Sequence, residues 1–409
     1  HKRIDYIDKF KEDFSKMADE LDKAAQTSTN ADFNEYLKLQ AKALRTADPM
    51  LDAYADKKWA TLQDTPLEFT ITRENYEDEM TGTIVENKEL SSLLEKHGIS
   101  AIPKDFLGGR VGIVNKKGTH ALLAIKEYLP TLAKNMPFAD EYEQNISTES
   151  DAKQTMVDVD LVAVTGDVGE YRGGITLAEN LPNDDKLSLT IGGGRRNVYH
   201  RQIRFISDMK KLQERLDEIL DKEQHQYYLD EADHWFTIGH ENAHSLGPKK
   251  ACETLGKYRN IIEENKADMG ALAFVDLLTE LGMYTQEQRK QIIVTTIADN
   301  FLKSKPTMSQ AHRVRTVMQN KYFAERGAYE IIDGKIHVNI DKVVPIAKEM
   351  LAEIIRIQIE GNFDKAEKYV LDNFIWTDNM ELIAQKLQKI NKTLNGRTES
   401  ELAEKLLKE

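Results

Sequence analysis

One segment of the chain combines residue types and spacing that suit metal chemistry: His240-Glu241-Asn242-Ala243-His244. It reads H-E-x-x-H inside a helical stretch, Trp235 to Ser245, that Gly247-Pro248 ends. A spacing of four puts both imidazoles on one helical face, one turn apart. Two neutral imidazoles so placed suit a borderline metal such as zinc. Glu241 follows the first ligand and can approach the water-bearing position of such a site, where a general base is needed. Histidine is scarce, 10 in 409 residues, so composition alone yields the pattern in about one such chain in forty. The bland alternative, two histidines packed on a helix, stays open until a third ligand is in view.

Glu263-Glu264-Asn265-Lys266-Ala267-Asp268 opens a second helical stretch, and Glu264 lies twenty residues after His244. Asp268 is one turn beyond Glu264 on the same face. A helix–turn–helix of that length can bring the second helix back across the first, so that Glu264 completes a His₂Glu site with an open position. Asp268 can accept the other ring N–H of a ligating histidine, and Glu263 is a second candidate for that duty. The order H-E-x-x-H then E-x-x-x-D is similar to that of the thermolysin-type gluzincins.

The run Glu263–Leu272, E-E-N-K-A-D-M-G-A-L, resembles the second zinc motif of the dipeptidyl peptidase III family of metallopeptidases. That motif reads E-E-x-R-A-E/D, with the second Glu as ligand. Three further pieces fall in the family's order. Glu74-Asn75-Tyr76-Glu77-Asp78 resembles its E-T-Y-E-D segment. Asn180-Leu181-Pro182-Asn183, followed by Arg196-Asn197-Val198, resembles N-x-P-N…K-N-V. Gln310-Ala311-His312 resembles Q-A-H. The resemblance implies one zinc ion per chain, held by His240, His244 and Glu264, with Glu241 as general base. It implies that Tyr76 and His312 stabilise the oxyanion, a task for donors placed where charge develops. It implies that Glu74, Asn180 and Asn183 hold the amino terminus and backbone of a peptide substrate. The chain departs from the family in its plain H-E-x-x-H, where the family has H-E-x-x-G-H, and in the shorter gap between the two motifs.

The elements that must position these groups follow from periodicity. Residues 2–64 read as amphipathic helices, with Ile4, Ile7, Phe10, Phe14, Met17 and Leu21 recurring every three or four residues. From Pro66 the period changes to two. Strands are expected at Leu67–Thr72, Arg110–Val114, Val157–Val164, Tyr171–Leu177 and Leu187–Ile191, with a helix at His120–Leu132. Gly192–Gly194 with Arg195-Arg196 is expected as a strand-to-helix turn, since it lacks the G-K-[ST] of a phosphate loop. Helices are expected at Val198–Glu223, Ala232–Ser245, Cys252–Leu281, Thr285–Lys303, Ser309–Arg326 and Lys342–Glu360, with a hairpin at Tyr329–Val338. The expected fold class is α+β and predominantly helical. The expected division is an N-terminal helical region over 1–65, a mixed α/β lobe over 66–195 and a helical zinc-binding lobe over 196–409. The family resemblance adds two lobes with a cleft between them.

Composition narrows the function. Hydrophobic residues are 40% and charged residues 31%, a soluble globular profile. A net charge of −13 offers no broad basic face for nucleic acid and is repelled by an anionic membrane. No run reaches the length of a membrane span. The one cysteine, Cys252, excludes an internal disulfide framework and a cysteine-rich metal site. The compartment stays open: the cytoplasm is favoured, and an extracytoplasmic setting applies if a signal peptide has been removed. Oligomeric state is not legible. The reading is a zinc metallopeptidase acting as an exopeptidase that releases N-terminal dipeptides. The alternatives are a gluzincin-type aminopeptidase or endopeptidase, and a non-catalytic metal-binding or interaction protein.

Overall fold

The structure, a computed structural model, describes residues 6–46, 48–75, 87–98, 105–144, 155–166, 178–181, 196–201, 206–248, 253–308 and 310–390. The architecture is α+β and predominantly helical. The chain forms two compact units, residues 1–124 with 147–202, and residues 125–146 with 203–409. Residues 1–65 therefore share a unit with the sheet, and 125–146 join the helical unit.

The first unit holds a five-stranded sheet of β1 (Leu67–Asn75), β2 (Asp105–Val114), β3 (Thr155–Gly166), β4 (Ala178–Leu181) and β5 (Arg196–Arg201). The strand order is β1-β2-β3-β5-β4, and only β3 and β5 run parallel. Helices α1 (Lys11–Thr27), α2 (Ala31–Thr46) and α3 (Pro49–Trp59) supply Phe14, Leu21, Phe33, Leu37 and Trp59 to a core shared with Val157, Val159 and Val198. The polar side of α2 closes the outer edge of the sheet: the Tyr36 hydroxyl donates to the Phe69 carbonyl and the Gln40 amide to the Ile71 carbonyl, each at 2.8 Å.

One expectation changes in this unit. Arg196–Arg201 is a strand and not the entry to a helix, because Asn197, Val198 and Tyr199 pair in parallel with Met156, Val157 and Asp158. Arg196, at the start of this strand, is fully buried. It pairs with Glu68 at 2.7 Å, donates to the Leu62 carbonyl and to Thr155 Oγ1, and lies over the Trp59 ring. The expected strands at Tyr171–Leu177 and Leu187–Ile191 lie outside the described residues.

The second unit is helical. After α4 (Lys116–Lys134), whose C-terminal half belongs here, come a helix at Ile206–Ile219, α5 (Asp230–Ala243), α6 (Arg259–Ala273) and α7 (Gln286–Leu302). Then follow α8 (Ala311–Glu325), α9 (Ile340–Glu360) and α10 (Phe363–Asn373). A hairpin of β6 (Tyr329–Ile332) and β7 (Lys335–Val338) turns at Asp333-Gly334, both at positive φ as a tight two-residue turn requires. The helix expected over Cys252–Leu281 is broken. Glu253–Tyr258 is a 3₁₀ turn, and Phe274 leaves helical geometry with φ −97° and ψ 0° before the short helix Val275–Glu280. The Phe274 ring is buried in the core, so packing outweighs the helical propensity of the segment there.

Candidate metal centre

The centre is built by α5 and α6. Acidic Asp230, Glu231 and Asp233 occupy the first turn of α5, where the helix dipole favours them. The His244 N–H still donates to the His240 carbonyl at 3.2 Å, so helical spacing holds through the second histidine. The helix α6 is buried through most of its length, with Ile261, Ile262 and every residue of Asn265–Ala273 shielded from water. The two helices approach where their residues are small. A Cβ at Gly270 would lie 2.8 Å from Ala243 Cβ, and one at Gly239 would lie 3.1 Å from Ala271 Cβ. At Gly270 even a methyl group would force one helix to shift, and at Gly239 it would be tight.

The crossing brings Glu264 onto the two histidines. One potential ligand atom from each of His240, His244 and Glu264 lies within 4.8 Å of the others. The two Nε2 atoms are 3.2 Å apart, with the rings edge to face. Glu264 places Oε2 3.4 Å from His240 Nε2 and Oε1 4.0 Å from His244 Nε2. A tetrahedral ion with bonds of about 2.0–2.1 Å has ligand-to-ligand edges of about 3.3 Å. The outward nitrogens are engaged: His240 Nδ1 donates to Asp268 at 2.7 Å and His244 Nδ1 to Glu263 at 3.0 Å. Ionised carboxylates only accept, so each Nδ1 carries a proton, and a neutral imidazole held this way turns its Nε2 lone pair inward. Glu264 Oε2 is buried and makes no well-angled hydrogen bond among the described residues. Two inward lone pairs and a buried carboxylate oxygen form a donor set compatible with zinc.

The charges around the site are balanced by buried cations. Burial opposes ionisation of Glu264, but His312, His240 and His244 hold its carboxyl well below the usual range. Burial likewise opposes ionisation of Glu263, and Lys266 with His244 brings it down to about 2. Arg315 is drawn down by burial, against the field of Glu264, Glu241 and Asp233, and its guanidinium meets Asp268. Glu241 is buried beside the first histidine.

A dipeptidyl peptidase III structure from Caldithrix abyssi superposes with a TM-score of 0.75 at 25% identity, over 94% of this chain and 70% of that one. The chain has a dipeptidyl peptidase III-like fold. A dipeptidyl-peptidase III from Corallococcus sp. strain EGB gives a TM-score of 0.71 at 19% identity, over 94% of this chain and 68% of that one. Among curated proteins, Nudix hydrolase 3 of Arabidopsis thaliana is 25% identical over 421 aligned positions. That alignment spans 99% of this chain, which covers about half the length of that relative. No protein-family model matches the chain.

The residues implied by the dipeptidyl peptidase III resemblance are distributed as follows. His240, His244 and Glu264 come together, with Asp268 and Glu263 on the two Nδ1 atoms. His312 sits at the start of α8 with Nδ1 3.0 Å from Glu264 Oε2. Glu74 lies in β1 opposite Phe106, and Asn180 in β4 opposite Asn197. Tyr76 and Asn183 lie outside the described residues. Four residues at the site went unnoticed in the sequence: Lys266, Arg315, Gln319 and Gln358, each in contact with Asp268 or Glu263. The spacing His312, Arg315, Gln319 on one face of α8 was the available signal.

Proposed function

We propose that the protein is a zinc-dependent metallopeptidase that releases dipeptides from the amino terminus of peptide substrates. The observation that carries this reading is the convergence of two Nε2 lone pairs and the Glu264 carboxylate, with both Nδ1 atoms held by carboxylates. The likeness to dipeptidyl peptidase III structures supports a peptidase. The plant relative's name is carried by a chain of twice the length, and the reading rests on the site instead.

His240, His244 and Glu264 would hold one zinc ion. Bound there, zinc would supply Lewis acidity toward the scissile carbonyl and toward water. Glu241 takes a proton from the attacking water and delivers it to the leaving amine. His312, anchored on Glu264 through Nδ1, is oriented by α8, and it and Tyr76 donate to the developing oxyanion. Glu74, Asn180 and Asn183 bind the ammonium and backbone of the substrate. Among the described residues no helix is long and apolar enough to cross a membrane.

The test is mass spectrometry of a mixed peptide pool after incubation, with and without a chelator. Metal-dependent ladders falling by two residues from the amino terminus are expected. Single-residue steps or internal cuts would keep the zinc site and discard the dipeptide rule. Absence of cleavage by zinc-loaded protein would reject the peptidase reading.

A further inference from the structure

The two imidazoles are held by two groups of matching chemistry. Asp268, which accepts from His240, also accepts from Gln319 Nε2 at 2.8 Å and meets the Arg315 guanidinium. Glu263, which accepts from His244, also accepts from Gln358 Nε2 at 2.9 Å and from the Lys266 ammonium at 2.7 Å. Each carboxylate therefore meets one imidazole, one cation and one primary amide. Arg315 and Gln319 come from α8, Gln358 from α9 and Lys266 from α6 itself.

Both groups reach further into the unit. Lys266 is 3% exposed and also donates to the Leu246 carbonyl at 2.7 Å and the His244 carbonyl at 3.3 Å, tying Glu263 to the end of the H-E-x-x-H helix. The Gln319 amide also reaches Asn265 Oδ1 at 3.0 Å, and its oxygen accepts from Asn300 on α7 at 3.2 Å. A carboxylate that met only an imidazole could rotate about its last bond. One that also receives a cation and an amide has a single orientation, and the imidazole plane follows it.

We infer that Arg315, Gln319, Lys266 and Gln358 are positioning residues that fix both imidazole planes and the Nδ1–H tautomer, and so set the metal affinity of the site. The inference rests on the metal-site reading above. It concerns a layer outside the carboxylates that touch the histidines.

The test compares the full chain with Gln319→Leu, Gln358→Leu, Lys266→Met and Lys266→Arg. Zinc affinity is measured by competition with a chromophoric chelator, and the visible spectrum is recorded after cobalt substitution. Thermal unfolding of the metal-free proteins monitors folding. Each of the first three variants should lose about 10- to 100-fold in zinc affinity and shift the cobalt bands. Lys266→Arg should restore most of the loss, since E-E-x-R-A-E/D carries arginine at that position. If Gln319→Leu fails to fold, Gln358→Leu and the Lys266 pair decide the matter. Wild-type affinity and an unshifted cobalt spectrum in the folded variants would overturn the inference. A wild-type chain that takes up no zinc would overturn the metal reading itself, and needs no variant to be seen.

Discussion

Glu241, which is buried, and Glu264, which is half-buried, both lie beside the histidines, yet they should fail in different ways. Glu241→Gln keeps the shape and removes the base. Zinc content should match the wild type while turnover falls by about 10²–10⁴-fold, read by metal analysis beside a peptide assay. An active, zinc-loaded Glu241→Gln protein would remove Glu241 from its role. Glu264→Ala instead deletes a carboxylate that lies within 3.4 Å of His240 Nε2, and should lose zinc; unchanged metal content would remove it as a ligand. At this scale the ligating types were legible because helical spacing alone puts His240 with His244 and Glu264 with Asp268 on common faces. Lys266, Arg315, Gln319 and Gln358 were not, because a lysine, an arginine or a glutamine on a helix has no distinctive chemistry until a partner is known. Gln358 lies 95 residues from Glu263, beyond the reach of any local pattern.

The decisive element-scale feature is the contact between α5 and α6. In Gly270→Ala the new methyl group would sit 2.8 Å from Ala243 Cβ. Neither atom is the end of a flexible side chain, so one helix must move. The expected cost is about 1–3 kcal/mol of stability, with weakened zinc binding because Glu264 travels with α6. Thermal unfolding and a zinc titration check this; a variant equal to the wild type in both would show that the crossing has slack. Periodicity located most helices of this unit within a few residues, including α7, whose Thr285 and Gln288 form a reciprocal cap. It missed the interruption at Phe274 and the strand β5. The first is imposed by a ring seeking the core. The second is imposed by β3, which offers a parallel partner to a segment whose own pattern also suits a helix.

For the molecule as a whole, stability should depend on pH through a group far in sequence from the metal ligands. Burial, with Asp52 adding to it, pushes the Asp56 carboxyl up to about 7. The fold therefore favours the protonated form. The associated stability is present below the ordinary carboxylate range and is lost as pH rises from about 4 to about 7. Asp56→Asn should gain on the wild type across that window, by up to about 1.4 kcal/mol per pH unit. Melting temperatures of both proteins from pH 5 to pH 8 give the comparison, and parallel curves would reject it. The α+β, mainly helical character was legible from periods of two and of three to four. The boundaries of the compact units were not: residues 125–146 join the helical unit through Leu129, Leu132 and Met136 in its core and through Glu141, which pairs with Arg356 at 2.6 Å. The small residues at the α5–α6 crossing also bear on how distant homologues can be recognised. Histidines and glutamates in the right order are cheap for drift to produce. A survey that also demanded glycine or alanine at the positions of Gly239, Ala243, Gly270 and Ala271 would discard chains whose second helix is too bulky to deliver its glutamate, and one that demanded the small residues alone would find degenerate members that have lost a ligand but kept the scaffold.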